Sequence, residues 1–150
     1  MYTKEEAKAI KLQFWDGFKR YSKKRGRKMT SWVLKGTQIK EVQLKFDLNK
    51  EGAFVMLQVD SKLDSTRISV FESFEKYKPV IDETCGKDLI WDKHYFIKGF
   101  KEVSVMYYHL EDISILNQND WDKCYEFFFN QMVLLEEAFL DVKEVIMYRA

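Results

Sequence analysis

Seven cations stand within ten residues near the start of the chain, with no acidic residue among them. They are Lys19, Arg20, Lys23, Lys24, Arg25, Arg27 and Lys28. Such a run can neutralise the phosphates of DNA or RNA without reading the base sequence. Two structural roles are the alternatives: exposed cations at the C-terminal end of a helix complement its dipole, at roughly 0.3–1 kcal/mol each, and cations can also meet an acidic surface of the same chain.

The net charge hides an uneven charge distribution. Lys and Arg total 25 against 24 Asp and Glu, which gives +1 overall. Residues 1–40 carry twelve cations and three acids, whereas residues 111–150 carry three cations and nine acids. Halves of opposite sign can complement each other across a two-fold axis, so a homodimer is one prediction from this pattern.

Two apolar runs flanking Lys50 and Glu51 predict a β-hairpin with a two-residue turn, in which paired residue numbers sum to 101. The register can be tested internally, because a slip by one residue would turn one strand's apolar set to the other face. It pairs Val42 with Val59, Leu44 with Leu57, Phe46 with Val55 and Leu48 with Ala53. Every apolar residue of this face meets an apolar partner, which favours the register.

The same register brings two carboxylates and a lysine to one end of the hairpin. Glu41 lies opposite Asp60, Gln43 lies opposite Gln58, and Lys62 follows two residues after Asp60. An acid on one strand and Asp-x-Lys on the next resembles the PD-(D/E)xK nuclease core. The resemblance implies that Glu41 and Asp60 hold Mg²⁺ and that Lys62 orients or activates the attacking water. The alternative is an ordinary solvated strand face, since exposed strands usually carry such charges.

Composition limits the class of protein. A chain of 150 residues predicts a single domain, 1–150, and 46% hydrophobic residues exclude intrinsic disorder. No apolar run approaches the ~20 residues that a membrane span requires, so no membrane partner is expected. The start at Met1 is charged within six residues and lacks the apolar segment of a secretory signal, which predicts a cytoplasmic protein.

The remaining residues capable of chemistry give no pattern. His94 and His109 have no Ser, Cys or acid at a suggestive spacing, so we expect ordinary hydrogen-bonded or surface histidines. Cys85 and Cys124 are 39 residues apart and are expected to be buried thiols. The sequence contains no glycine-rich phosphate loop, so no cofactor is expected, except Mg²⁺ under the nuclease hypothesis.

The elements in the first part of the chain follow from periodicity and caps. Thr3 and Glu6 have the spacing of a capping box, and apolar residues at three- and four-residue steps predict a helix over roughly 3–24. A short strand is predicted from Met29 to Lys35, closed by Gly36.

A second helix is predicted after the hairpin, capped by Asp64 or Ser65, kinked near Pro79 and stopped at Gly86. Two strands follow, from Leu89 to Phe96 and from Val103 to Leu110. The second of these is apolar on both faces and is predicted to be covered on both sides.

A long last helix is predicted after Asn119 as its cap. Its apolar residues step by four and three, at Trp121, Tyr125, Phe128, Met132, Leu135, Phe139, Val142 and Ile146. This heptad seam fits either a two-helix contact in a homodimer or packing across the sheet of its own chain. The predicted fold class is α+β: an antiparallel sheet of about five strands flanked by three helices, in the order α-β-β-β-α-β-β-α.

Several fragments resemble the bacterial family known as domain of unknown function 4268. They are Met1 to Ala7, Phe14-Trp15, Arg67, Phe71 to Glu75, and Asn117-x-x-Asp120-Trp121. The family has no established activity, and its members occur alone or appended to nuclease-like proteins, which implies work linked to nucleic acid. Gln58 stands where the family carries Glu in the third predicted strand, and this departure weakens an acidic role there.

The sequence therefore favours a non-enzymatic binding or assembly module linked to nucleic-acid metabolism. The alternative is a divergent Mg²⁺-dependent nuclease domain built on Glu41, Asp60 and Lys62.

Overall fold

A computed structural model describes residues 1–149 of the chain. Four helices and four strands are found in this part. In chain order they are α1 (Lys4–Lys24), β1 (Val42–Asn49), β2 (Gly52–Val59), α2 (Asp64–Glu75), α3 (Lys78–Cys85), β3 (Ile90–Ile97), β4 (Lys101–Leu110) and α4 (Trp121–Met147). The α+β class is confirmed. The details of the prediction were wrong. About five strands and three helices were expected, in the order α-β-β-β-α-β-β-α, and the structure has four strands and four helices.

The missing strand is the one predicted from Met29 to Lys35. A single turn of 3₁₀ helix covers Met29–Ser31, and the segment after it makes one backbone hydrogen bond to the sheet, from Leu44 N to Leu34 O at 2.9 Å. Its apolar residues pack on the helices instead: Trp32 is buried in the main core. The consecutive apolar residues Trp32, Val33 and Leu34 thus belong to a packed loop here rather than to a strand.

The extra helix arises at Pro79. The predicted kink is a complete break, with α2 ending at Glu75 and α3 starting at Lys78, and Pro79 lies in the first turn of α3. Proline is tolerated there because the N–H it lacks would have no partner within the helix. Gly86 ends α3 at φ 81°, as predicted.

The helix caps were predicted with mixed success. The capping box at Thr3 and Glu6 is confirmed, with both reciprocal bonds at 3.1 Å. The residue preceding α2 is Leu63, which has no side chain able to cap, and Asp120 rather than Asn119 precedes α4.

The predicted hairpin register is confirmed in full. All four apolar pairs of β1 and β2 are found, and Gln43 pairs with Gln58. The antiparallel sheet has the order β1-β2-β4-β3.

All four helices pack on one face of this sheet. Their buried side chains form the main core together with one face of the strands, which includes Leu57 and Met106. On the other face, Phe54, Met56, Val103 and Val105 form a second buried cluster to which only strand residues contribute among those described. The prediction that β4 is buried on both sides is confirmed, but neighbouring strand side chains, not helices, cover its second face.

The heptad seam of α4 is part of the core. All eight seam residues except Trp121 are buried, and Trp121 packs against the core. Gly17 lets α1 approach α4 closely, since a Cβ there would collide with the Tyr125 hydroxyl, which donates to Phe14 O at 2.7 Å. The seam therefore offers no surface for a second copy. No helix within residues 1–149 is long and apolar enough to cross a membrane.

Candidate functional site

Six of the seven clustered cations form an exposed surface where α1 ends. We call Lys19, Arg20, Lys23, Lys24, Arg25 and Lys28 the basic surface; all six are exposed, and none forms an ion pair with any residue of 1–149. The helix ends here because Gly26 takes φ 88°, which other residues avoid. Arg25 lies over the Tyr21 ring at 3.6 Å.

The spacing within α1 concentrates this charge on the solvent side. Lys19 and Lys23 are four residues apart, as are Arg20 and Lys24, so each pair lies side by side on the helix surface. Like charges at this spacing destabilise a helix by a few tenths of a kcal/mol per pair. Lys23 and Lys24 also stand in the last turn, where the helix dipole favours cations. The dipole accounts for these two residues and leaves Lys19 and Arg20 unexplained.

A shallow groove of about 580 Å³ lies between the basic surface and the start of α4. Arg20 and Lys24 line one side, and Asp122 and Glu126 line the other, but no cation–carboxylate pair closes across it within residues 1–149. Tyr125 lies at its floor, where burial raises the pKa of the phenol to about 12, against a lowering by the charge of Arg20. The groove therefore leaves the cations available to another molecule.

Arg27 differs from its six neighbours. Its guanidinium donates to Glu136 on α4 at 2.8 Å and lies over the Trp32 ring at 3.9 Å. Glu136 is only 7% exposed, and its other oxygen accepts from Val33 N at 2.7 Å. This one cation therefore meets the last helix, as the structural alternative expected, and fixes the loop after α1.

The second group of candidate residues converges in its backbone but not in its side chains. Asp60 N donates to Glu41 O at 2.9 Å, as the register requires. The Glu41 carboxylate then pairs with Arg149 at 3.4 Å, while Asp60 pairs with Lys101 at 2.6 Å. Lys62 is exposed in the loop before α2, with no ion pair inside the described range.

The fit of this group to a divalent cation can be judged from its partners. Each carboxylate already has a cation beside it, and no cluster of three or more His, Cys, Asp or Glu suited to a metal occurs within 1–149. One oxygen of Asp60 is buried without a hydrogen-bond partner among the described residues. Mg²⁺ binding by Glu41 and Asp60, with Lys62 at the metal's water, stays a prediction.

Comparison with known protein families identifies the family of the chain. Residues 10–143 match the family described as Domain of unknown function (DUF4268). The chain belongs to the DUF4268 family. No curated protein and no solved structure matches it.

The histidines and cysteines of this DUF4268 chain have ordinary partners. His94 Nδ1 bonds Glu102, and His109 bonds the carbonyl of Glu51 and stacks on Phe54 with centroids 4.2 Å apart. Both cysteines are free and buried, as predicted, and burial raises the pKa of the Cys124 thiol to about 12. A thiol with this pKa is unreactive near neutral pH.

One buried cation was not identified as functional or structural by sequence reasoning. Arg67 in the first turn of α2 is 1% exposed and donates to Lys93 O at 2.8 Å and to Ser104 Oγ at 2.9 Å. Glu102 lies 3.5 Å from the same guanidinium. Arg67 thereby anchors α2 to the irregular middle of β3, where the register shifts between Asp92 and Tyr95.

Proposed function

We propose that this protein is a non-enzymatic binding module that holds the phosphate backbone of nucleic acid without reading its sequence. The observation that carries the proposal is the basic surface, six exposed cations with no acidic partner in residues 1–149. Other exposed lysines of the chain also lack ion pairs within residues 1–149, but only here do six such cations lie together within ten residues. The phosphates of a bound nucleic acid would supply the partners that these cations lack.

The physical basis is counterion release. A cation that neutralises a phosphate frees a condensed counterion, so binding is favoured at low salt and weakens steeply as salt is added. Contacts of this type position a nucleic acid and carry no sequence information. The proposed setting is the bacterial cytoplasm, in line with the context that the family resemblance implies.

The test compares two variants with the same change in net charge. The first variant replaces Lys19, Lys23, Lys24 and Lys28 by Gln. The control variant replaces four other exposed lysines by Gln, namely Lys50, Lys76, Lys87 and Lys123. Arg27 is left intact because it holds the loop to α4. Fluorescence anisotropy with labelled DNA is expected to show a loss of at least about tenfold for the first variant and little change for the control. Equal losses of DNA affinity in the two variants would show that net charge alone explains binding, and would contradict a defined binding surface.

A homodimer is part of this proposal. Its only support is the opposite net charge of residues 1–40 and 111–150, since the seam of α4 is used within the chain. Sedimentation at tens of micromolar is expected to show a dimer that dissociates as salt is added, because the attraction is electrostatic. Particles of ~18 kDa at every salt concentration would contradict it.

A further inference from the structure

The turn that joins β3 to β4 presents an aromatic side chain that folding does not explain. Phe100 is 91% exposed, so it contributes almost no apolar burial. Its φ is 63°, directly after Gly99 at 85°. Bulky residues avoid this left-handed region because the Cβ crowds the backbone, whereas Gly or Asn accepts it. Phe100 therefore costs stability at a position where Asn would be easier to accommodate.

The surroundings of Phe100 combine further exposed apolar side chains with lysines. Phe96 is 62% exposed, and Lys98 and Lys101 stand on either side of Gly99 and Phe100. We call Lys98–Lys101 the Phe100 turn.

The loop before α2 lies beside this turn. Asp60 Oδ2 contacts Lys101 Nζ at 2.6 Å, which brings the following residues Lys62 and Leu63 to the same end of the molecule. Leu63 is 64% exposed. Lys62 and Lys98 have no acidic partner in the described part of the chain. This end thus presents apolar side chains, two of them aromatic, together with the unpaired cations Lys62 and Lys98, and its most exposed acid, Asp64, lies 3.8 Å from Arg67.

We propose that the Phe100 turn stacks on an unpaired base of a bound nucleic acid, with Lys98 and Lys62 at the neighbouring phosphates. The inference rests on the proposed function and narrows its ligand to nucleic acid that contains single-stranded segments. An aromatic ring can stack on any base whose face is free, so the contact needs no particular sequence. In a duplex these faces are hidden within the base stack, and only the basic surface would bind.

Charge decides between this ligand and a second copy of the chain. A two-fold contact through this end would place Lys62 and Lys98 of both copies close together, where like charges repel. A polyanion with exposed aromatic faces complements both the lysines and the rings.

The test uses two labelled probes of equal length, a single strand of about 20 thymidines and a duplex of about 20 base pairs. In Phe100→Asn, single-strand affinity is expected to fall about 5- to 150-fold, the range that loss of one stacked base gives, and duplex affinity is expected to stay within about twofold. Phe100→Tyr keeps the ring and should bind like the parent. Tyr148→Asn removes an aromatic that is 81% exposed elsewhere and serves as the matched control.

The outcomes separate this inference from the proposed function. A melting temperature of Phe100→Asn equal to or above that of the parent is expected, and shows that lost binding is not lost folding. Unchanged single-strand affinity in Phe100→Asn overturns the inference and leaves the proposed function standing. No binding of either probe by the parent overturns both. Phe100-dependent sedimentation with phosphatidylserine vesicles, alongside unchanged DNA binding, would assign the turn to a lipid surface and overturn the inference.

Discussion

Two sets of cations in this molecule have opposite surroundings. Arg27 and Arg67 are each held by acidic and backbone partners against the core, and Arg67 is 1% exposed. The basic surface lies at the end of α1, and its residues flank Arg27 in the sequence. Its cations have no such partners within residues 1–149.

The comparison teaches that the partner, not the residue type or the local density of charge, sets a cation's role. Arg25 and Arg27 are two residues apart, yet one lies over Tyr21 in solvent and the other reaches Glu136, 109 residues away. Held cations should matter for stability and free cations for binding.

The largest effect is expected from Arg67→Met. The substitution leaves Glu102 without its guanidinium and detaches α2 from β3, so we expect a loss of about 2–3 kcal/mol in the free energy of unfolding. This loss is smaller than the loss expected for a fully buried ion pair because Glu102 is partly exposed. Urea denaturation measures it.

Lys93→Met is the control for this prediction. Lys93 lies at the same irregularity of β3, where hydrogen bonds to Glu72 and then Glu75 raise its pKa, but its side chain is partly exposed. We expect its stability to stay close to that of the parent. Equal losses in both variants would show that the burial of Arg67 adds nothing to what a partly exposed cation with acidic partners contributes.

Alkaline pH is expected to weaken the packed region. Burial raises the pKa of Tyr125 to about 12 and also raises that of Tyr108, so both phenols stay protonated in the folded state where the unfolded chain has lost these protons. Their contribution is complete below pH ~10 and is lost as the pH rises toward the folded value, by about 1–1.5 kcal/mol for each phenol near pH 11.

Urea unfolding at several pH values between about 9 and 11 checks this dependence. Tyr125→Phe should show a shallower fall with pH, whereas Tyr148→Phe, in an exposed position, should follow the parent. A fall of the same steepness in Tyr125→Phe would contradict the role given to burial.

The smallest effect is expected at the half-buried carboxylates Glu41 and Asp60. Arg149 and Lys101 already neutralise Glu41 and Asp60, so we expect no saturable heat when the protein is titrated with Mn²⁺ to about millimolar concentration. A saturable heat that disappears in Asp60→Asn, together with metal-dependent DNA cleavage that disappears in Lys62→Ala, would instead support the nuclease hypothesis.

Much of the fold could be predicted from local sequence, and the exceptions have physical reasons. The β1–β2 register was predictable because apolar alternation on both strands admits one alignment. The segment from Met29 to Lys35 is also rich in apolar residues but does not alternate, and Val33 N donates to Glu136, a partner that is distant in sequence. Pro79 indicated a disturbance in the helix without indicating whether it would bend or end it.

The site was predictable as a segment but not in its membership. Charge density alone located residues 19–28, yet the separation of Arg27 from the rest depends on α4. A single Glu136 within the apolar stripe of α4 was the available signal for a buried partner. Glu41 and Asp60 lie opposite each other one residue outside β1 and β2, as the register predicts, while the cations that pair with them come from β4 and from the residues after α4, which strand pairing does not reveal.

The salt dependence of nucleic-acid binding tests the central claim most directly. The logarithm of the association constant for duplex DNA, plotted against the logarithm of salt concentration, has a slope of about −0.9 per phosphate neutralised. If the six free cations bind phosphates, the parent slope should be about −5, and the variant lacking Lys19, Lys23, Lys24 and Lys28 should fall to about −2. A parent slope near zero, or the same slope in both proteins, would contradict the account.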